Sequence, residues 1–189
     1  YHSEYQLAVA VILSAQCTDK RVNIITPPLF ERFPDFNTMA TAIHEEVFEY
    51  IKSCSYPNNK TKHLIGLAQK IVEEYEGKLP EDTKTLMSLP GIGRKTAHVL
   101  LSVLKNADVL AVDTHVFRVS HRIGLVNSKA KTPLEVEKQI IALVIEPNIL
   151  HKLHHWLILH GRYVCIARKP NCEKCGIAEY CKYFSKNKV

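Results

Sequence analysis

The residues best able to do chemistry are a lysine that directly follows a glycine-rich turn and an aspartate eighteen positions further on. The stretch LPGIGRKTA, residues 89–97, places Lys95 at the start of an apolar helix. An amine attacks carbon only in its neutral form, and the positive end of a helix beside an apolar wall would disfavour the charged ammonium. Asp113, in VDTH, would favour the ammonium if it lay close by. Geometry must decide between these two effects.

Each of these residues also has an ordinary interpretation. Most lysines near a helix start are solvated, and Asp113 has the position of an N-cap for the helix that follows it. A Gly-x-Gly turn occurs in many helix–helix connections, although its backbone N–H groups could also approach a phosphate closely. The turn and the lysine together therefore indicate a nucleophile or a phosphate contact without deciding between them.

Four of the six cysteines lie in one short loop with the spacing C-x6-C-x2-C-x5-C, at Cys165, Cys172, Cys175 and Cys181. Disulfides are unusual inside cells, and a structural zinc site commonly uses two well-separated pairs. A single C-x2-C within a short loop favours an iron–sulfur cluster, with zinc as the alternative. Cys17 and Cys54 fall in helical patterns and are expected to be small core residues.

The charge of +6 is confined to the end of the chain that holds these cysteines. Residues 1–150 contain 17 basic and 17 acidic residues, whereas residues 151–189 contain eight basic and two acidic ones. A basic end on a neutral body indicates a polyanion such as nucleic acid, or else a solvated tail. No apolar run is long enough to span a bilayer and no leader is visible, so we expect a soluble intracellular protein.

Apolar residues recur with helical spacing along nearly the whole chain, which predicts an all-α fold. The predicted helices cover residues 4–16, 45–54, 61–75, 83–89, 94–104, 114–123, 133–146 and 149–160. Pro27 and Pro28 predict a break or kink in a helix over 20–33. Thr132 is expected to cap a helix, and Gly77 and Gly124 to end one. Residues 107–112 look strand-like but have no second strand to pair with.

Taken together, these motifs closely resemble the endonuclease III family of the helix–hairpin–helix/Gly-Pro-Asp superfamily. The resemblance rests on LPGIGRKTA, on AVDTHVFRVSHR (111–122) and on HHWLILHGRYVCIARKPNCEKCGIAEYC (154–181). LSAQCTD (13–19) and SYPNNKTKHL (55–64) match further landmarks, so that the resemblance spans essentially the whole chain.

The resemblance implies a two-domain all-α architecture with DNA bound in the cleft between the domains. A six-helix barrel domain would cover 1–107, with the helix–hairpin–helix at about 83–102. A cluster domain would cover 108–189, with the cluster loop at 165–181. Lys95 would be the Schiff-base nucleophile and Asp113 its essential carboxylate. Cys165, Cys172, Cys175 and Cys181 would hold a 4Fe-4S cluster.

The implied activity is that of a bifunctional DNA glycosylase and AP lyase of base excision repair. It would act on double-stranded DNA that contains oxidised pyrimidines or abasic sites, as a monomer in the cytoplasm at the nucleoid, away from membranes. Gln16 would fill the gap left by the extruded nucleotide, and Tyr56 or Pro57 would wedge the opposite strand. The full set of implied DNA contacts is Gln16, Asp19, Tyr56, Pro57, Asn58, Lys60, Gly91, Gly93, Arg94, Arg168 and Lys169.

Two alternatives to this activity remain at the level of sequence. An adenine-mismatch or other monofunctional glycosylase of the same superfamily would keep the aspartate and the cluster but lack the hairpin lysine. A non-catalytic iron–sulfur DNA-binding protein would use Lys95 only to contact phosphate. The histidines of the helix before the cluster loop are expected to pack and to form hydrogen bonds rather than to bind metal; they are His151, His154, His155 and His160.

Overall fold

The computed structural model describes residues 1–146 and 148–187, and every regular element within those residues is helical. This confirms the all-α prediction. The helices group into two compact units, Tyr1–Lys105 and Asn106–Val189. None of the helices in the described part of the chain is long and apolar enough to cross a membrane.

The first unit contains seven helices. They are α1 (Glu4–Ser14), α2 (Asp19–Arg32), α3 (Phe36–Ala40), α4 (His44–Ile51), α5 (Pro57–Tyr75), α6 (Thr83–Met87) and α7 (Arg94–Lys105). Helix α5 packs on α3 and α4, while α1 packs on α2 and α7. The fully buried side chains are large aliphatic and aromatic groups contributed by nearly every helix, including Leu13, Leu29, Phe33, Met39, Ile51, Leu64, Ile71 and Leu100.

The predicted break at Pro27 and Pro28 does not occur, because α2 continues through both prolines. Each proline removes one N–H donor and so frees the carbonyl four residues earlier, at Asn23 and Ile24. These two residues and both prolines are exposed, so water can satisfy the freed carbonyls. Helix α2 tolerates the two prolines because they lie on its solvent-exposed side.

The described residues of the second unit begin with a segment that has no regular structure and then contain four further helices. They are α8 (Thr114–Ile123), α9 (Pro133–Leu143), α10 (Leu150–Tyr163) and α11 (Lys182–Asn187), with two short 3-10 turns at Cys172–Lys174 and Ala178–Tyr180. Residues 107–112 form no strand, although Leu110 and Val112 are buried in the core of this unit. These residues are buried without strand pairing, because no second strand is present within the described residues.

Several helix ends are formed by the capping residues that the sequence predicted. The Thr132 hydroxyl accepts a hydrogen bond from the N–H of Glu135, whose carboxylate accepts one from the N–H of Thr132. This is the predicted capping box at the start of α9. Gly124 ends α8 with φ +90°, a conformation that glycine adopts without strain. Helix α8, which carries Asp113 at its start, is thereby fixed at both ends.

Candidate functional site

The glycine-rich turn connects α6 to α7 and presents open backbone at its tip. Gly91 has φ +77°, and a Cβ at that position would meet the Cβ of His63 at 2.8 Å, so the turn needs glycine there. A Cβ on Gly93 would touch nothing within 4 Å. The first N–H groups of a helix have no partner within the helix, so the start of α7 offers donors beside an open backbone. An anion such as phosphate can approach a turn of this kind.

Lys95 is the second residue of α7, and its side chain is exposed. The sequence suggested an apolar wall around this amine, and the structure corrects that expectation. The buried residues of α7 are Ala97, His98, Leu100, Leu101 and Ser102. His98 and Ser102 follow Lys95 by three and seven residues and so lie on its side of the helix. Lys95 is therefore exposed because it lies in the first turn of α7, not because of its angle around the helix.

Asp113 caps α8, as its position before Thr114 predicted. Its Oδ1 accepts hydrogen bonds from the N–H groups of His115 and Val116, both at 2.8 Å. Its Oδ2 lies 3.2 Å from Nδ1 of His115, and the side chain is only 12% exposed. These contacts hold the carboxylate in one orientation. The helix N-terminus also stabilises its negative charge.

Two neighbouring loops of the first unit hold exposed residues in a strained backbone conformation. Gln16 follows α1 with φ +53°, and Tyr56 precedes α5 with φ +54°. Both are exposed, Tyr56 at 62%. A bulky residue in this region costs on the order of 1–3 kcal/mol, so surrounding contacts must hold it there. One such contact joins the loops, because the Ser55 hydroxyl donates to the Gln16 carbonyl at 2.7 Å.

Lys60 lies beneath these two loops and is buried, at 5% exposure. Its Nζ donates hydrogen bonds to the carbonyl of Leu13 at 2.8 Å and to that of Ala15 at 2.7 Å. It also lies 3.2 Å from both the Ser55 hydroxyl and the Cys54 sulfur. The sequence suggested a DNA contact for Lys60. The structure places it instead as an internal tie between the end of α1 and the loop before α5.

The remaining candidate DNA contacts of the first unit lie on its surface. Asp19 is the exposed first residue of α2, and Arg94 is the exposed first residue of α7. Pro57 occupies the first position of α5, where its missing N–H costs nothing, and Asn58 beside it is exposed. Four of the positions that the resemblance suggested are therefore placed where a ligand could reach them.

No disulfide joins the four clustered cysteines of the second unit. Cys165 and Cys181 are buried, whereas Cys172 and Cys175 are half-buried. Burial raises the pKa of the Cys172 thiol, and the charges of the other three cysteines raise it further. In the described residues, no three His, Cys, Asp or Glu side chains converge closely enough to hold a single metal ion. One loop supplies all four cysteines, and four thiolates are the ligand set of a 4Fe-4S cluster.

Two arginines of α8 hold the chain that carries these cysteines. Arg122 donates hydrogen bonds to the carbonyls of Ile166 at 2.7 Å and Ala167 at 2.9 Å, and its Nη1 lies 3.5 Å from the Cys165 sulfur. Arg118 donates to the carbonyls of Gly161 and Cys165. Sequence reasoning quoted these arginines within a motif but assigned them no role. Their spacing of four residues on one face of α8 was the available signal.

The histidines of α10 differ in their environments. His154 is buried, and its Nδ1 lies 2.7 Å from the Ala111 carbonyl. His160 lies with Nε2 at 3.7 Å from the Cys175 sulfur, and burial lowers its pKa. These contacts agree with the expected roles in packing and hydrogen bonding.

The cluster loop also presents basic side chains to solvent. Arg168 and Lys169 are exposed, and Lys169 has φ +53°. A surface groove of about 570 Å³ beside Cys172 is lined by Lys169 and Lys174 among others. The loop therefore combines buried thiols with an exposed positive surface.

Comparison with known families decides what these features belong to. Residues 9–144 match the sequence model of the HhH-GPD superfamily of base excision DNA repair proteins. The chain belongs to this superfamily. Residues 165–181 match the iron–sulfur binding domain of endonuclease III, which are the bounds of the predicted cluster loop. The HhH-GPD match includes the hairpin, Lys95 and Asp113.

Individual relatives place the chain more closely within the superfamily. Endonuclease III of Rickettsia felis is 45% identical over 98% of this chain and 85% of its own length. Endonuclease III of Escherichia coli K12 is 41% identical over 98% and 87%. A solved structure of a trapped endonuclease III–DNA covalent intermediate superimposes with a TM-score of 0.91 at 37% identity, covering 98% of this chain and 86% of that one.

The chain is thus a member of the endonuclease III family, as the sequence motifs indicated. It is a DNA glycosylase with AP lyase activity in base excision repair, and its cofactor is a 4Fe-4S cluster. The four thiols would hold this cluster, which would fix the shape of the basic loop around it. The choice between iron–sulfur and zinc, which spacing alone left open, is settled by the match over 165–181.

Proposed function

We propose that this enzyme removes oxidised pyrimidines from double-stranded DNA and then cuts the strand 3′ to the abasic site. The observation that carries this proposal is the position of Lys95, exposed in the first turn of α7 directly after the open Gly91–Gly93 turn. A monofunctional glycosylase needs no amine at this position. The related endonuclease III structure described as a trapped covalent intermediate with DNA supports a covalent route.

Lys95 is the proposed nucleophile. The damaged nucleotide must first leave the base stack, because its sugar cannot be reached inside the duplex. The neutral Nζ of Lys95 then attacks C1′, the base departs, and the amine and the opened sugar form an imine. Elimination from this imine breaks the bond to the 3′ phosphate. Since Lys95 is exposed in the free chain, the sugar of an extruded nucleotide could reach its Nζ.

Asp113 is the proposed catalytic carboxylate. Its Oδ1 accepts hydrogen bonds from two backbone N–H groups, and its Oδ2 lies 3.2 Å from Nδ1 of His115. We assign the catalytic role to Oδ2, which would exchange its contact with His115 for the substrate. A carboxylate fixed in this way can stabilise positive charge that develops on the sugar as the base leaves. It can also accept a proton during formation of the imine. The structural cap and the catalytic role use different oxygens of the same group.

Gln16 and Tyr56 are the proposed residues that hold the DNA open. Both side chains are exposed, and both residues have positive φ angles. Such a conformation costs energy in the free protein, which agrees with a role in contacting a ligand. Gln16 would fill the gap left by the extruded nucleotide. Tyr56, with Pro57 behind it, would stack against the opposite strand.

The DNA duplex is the proposed partner of the remaining surface residues. Those in the first unit are Asp19, Asn58, Gly91, Gly93 and Arg94, and those in the cluster loop are Arg168 and Lys169. Backbone N–H groups and basic side chains position a duplex without reading its sequence. Binding through them should weaken as salt rises.

We further propose that the two units carry different roles. The unit Tyr1–Lys105 would be the six-helix barrel domain with the hairpin, and Asn106–Val189 would be the cluster domain. The sequence placed this boundary at 107/108. The enzyme would work as a monomer, because a single chain supplies every residue invoked above. It would act at the nucleoid, where its DNA substrate lies.

Borohydride trapping on a duplex with one abasic site tests the assignment of Lys95. Borohydride reduces an imine to a stable amine, so the wild-type protein should become covalently joined to the DNA. Lys95→Ala should form no adduct while still binding the duplex. Lys62→Ala is the matched control, because Lys62 is an exposed lysine of α5 with no proposed role. Absence of an adduct from wild-type protein that binds the duplex, or an adduct with Lys95→Ala, would refute the assignment.

A panel of duplexes tests the substrate class. Thymine glycol should be released and the strand cut, whereas adenine opposite a mismatched base should remain. Release of mismatched adenine without strand cutting would instead favour the monofunctional alternative.

A further inference from the structure

Ser55, which is not among the proposed DNA contacts, joins the two loops that carry Gln16 and Tyr56. The Gln16 loop is defined as residues 15–18, and the Tyr56 loop as residues 52–56. The Ser55 hydroxyl donates to the Gln16 carbonyl at 2.7 Å and lies 3.3 Å from the Ala15 carbonyl. A hydroxyl has one proton, so the shorter contact is its principal hydrogen bond. One side chain of the Tyr56 loop therefore holds the backbone of the Gln16 loop.

The same hydroxyl accepts a hydrogen bond from the buried Lys60. The distance from the Lys60 Nζ to the Ser55 oxygen is 3.2 Å. A hydroxyl that accepts from an ammonium becomes a stronger donor, because hydrogen bonds in series polarise one another. The bond to the Gln16 carbonyl is therefore strengthened from inside the protein. The backbone N–H of Lys60 also donates to the Tyr56 carbonyl at 3.1 Å, so both loops are anchored to the first turn of α5.

The peptide groups that Ser55 restrains adjoin Gln16 and Tyr56. The Gln16 carbonyl belongs to the planar peptide that follows Gln16, so holding it fixes ψ of that residue. Ser55 immediately precedes Tyr56, so anchoring it restrains the peptide that sets φ of Tyr56. Both residues have positive φ, +53° and +54°, which neither type of side chain favours. Relaxation of either loop toward an ordinary conformation would therefore redirect its exposed side chain.

We propose that Ser55 is a positioning residue that couples Gln16 to Tyr56, so that the two side chains contact the opened duplex as one unit. This inference rests on the proposed roles of Gln16 in filling the gap and of Tyr56 in contacting the opposite strand. Both contacts become available together, when the nucleotide leaves the stack. Loops that are already joined lose less freedom on binding than two independent loops do, and this preorganisation favours the complex.

Hydrogen–deuterium exchange of the free, cluster-containing protein tests the link without DNA. Ser55→Ala removes the hydrogen bond to the Gln16 carbonyl, so backbone amides of both loops should exchange about two- to tenfold faster. Ser55→Thr keeps a hydroxyl and should retain the wild-type protection. Ser53→Ala is the matched control, because Ser53 is an exposed serine of the same loop with no proposed role. Unchanged exchange of residues 15–18 in Ser55→Ala would overturn the link.

Cutting of an abasic duplex under single-turnover conditions tests the effect on activity. A typical hydrogen bond shifts an equilibrium by about two- to tenfold, so Ser55→Ala should cut more slowly by about that factor. Ser55→Thr and Ser53→Ala should stay within about twofold of the wild-type rate. A loss of rate that Ser55→Thr shares equally with Ser55→Ala would show that the hydroxyl is not responsible, and the proposal would then be wrong.

A double-mutant cycle measures whether Gln16 and Tyr56 act together. With Ser55 present, the variant that combines Gln16→Ala and Tyr56→Ala should cut at least about threefold faster than the product of the two single effects predicts. With Ser55→Ala as the background, the two effects should simply multiply. A merely structural role of Ser55 would lower stability and leave this coupling unchanged. Equal coupling in both backgrounds would mean that the DNA, and not Ser55, joins the two residues, which contradicts the proposal.

Failure of the proposed function would give different results. Wild-type protein that does not cut the abasic duplex would refute the lyase. Wild-type rates in both Gln16→Ala and Tyr56→Ala would refute their roles in holding the DNA open. Exchange of the free protein would still report whether Ser55 joins the two loops, because that experiment needs no DNA.

Discussion

Replacing Lys60 with methionine tests whether this lysine positions the loops that carry Gln16 and Tyr56 or contacts DNA itself. Methionine keeps an unbranched apolar stem of similar length but cannot donate a hydrogen bond. The change removes the hydrogen bonds from Nζ to the carbonyls of Leu13 and Ala15 and the contacts with Ser55 and Cys54. We expect a less stable protein with weaker binding to damaged duplex.

The size of the effect follows from these contacts. A hydrogen bond to a charged group contributes roughly 1.5–3 kcal/mol net, and the cost of burying the ammonium, which methionine avoids, offsets part of this. We expect a loss of about 2–4 kcal/mol in the free energy of unfolding. For a chain of this length, each kcal/mol lowers Tm by about 2–4 °C, so the expected fall is about 4–16 °C. Lys62→Met, on the exposed side of the same helix, should leave Tm unchanged.

Salt dependence separates the two roles. A lost phosphate contact lowers the slope of log affinity against log salt by about 0.9. A lost internal tie lowers affinity without changing that slope, because the number of phosphate contacts stays the same. Thermal unfolding followed by circular dichroism and duplex binding across a salt series measure both quantities. If Lys60→Met melts like Lys62→Met and its slope falls by about 0.9, the positioning role is refuted.

Four further predictions use other parts of the structure. Asp113→Asn keeps an oxygen that can cap α8, so Tm should change little. The lyase rate should fall on the order of 100-fold or more. An unchanged rate would remove Asp113 from the mechanism. Gly93→Ala should fold normally but bind abasic duplex more weakly. Gly91→Ala should lower the free energy of unfolding by at least about 1–2 kcal/mol. Equal Tm values for the two variants would contradict this. In the presence of a chelator, Arg122→Ala should lose the cluster absorbance near ~400 nm faster than the wild-type protein does. Loss at the wild-type rate would show that the hydrogen bonds from Arg122 to the loop are dispensable. Hydrogen bonds from Thr132 lower the pKa of Glu135 below its usual value in the folded chain. The stabilising effect of the Glu135 carboxylate is therefore present above the pKa of the unfolded chain and is lost as pH falls through the lowered pKa. Urea unfolding should show Glu135→Gln to be less stable than wild type near neutral pH, with the difference shrinking in acid.

Local signals in the sequence predicted most helices and their ends. Thr132 and Gly124 determine helix ends through contacts with residues close in sequence, so their roles could be inferred directly. The cysteine spacing and the hairpin motif identified the family. Helix α3 was missed because it has only five residues, too few to show a periodic pattern.

The loops at Gln16 and Tyr56 could not be predicted in this way. Positive φ angles are usually signalled by glycine or asparagine, and neither residue is of that type. Their conformation depends on partners distant in sequence, such as the hydrogen bond from Ser55 to the Gln16 carbonyl across 39 positions.

Lys60 and Lys95 both have environments that their immediate neighbours in the sequence did not suggest. Lys60 lies in the polar stretch NNKTK, yet it is four residues before Leu64 and eleven before Ile71, on the buried stripe of α5. Lys95 precedes the apolar stretch AHVLL and lies on the same side of α7 as the buried His98 and Ser102, yet it is exposed. Its exposure comes from its place in the first turn, directly after the open Gly91–Gly93 turn. The angle around a helix therefore predicts burial within a long helix such as α5, whereas the position along the helix decides exposure at an end such as the start of α7.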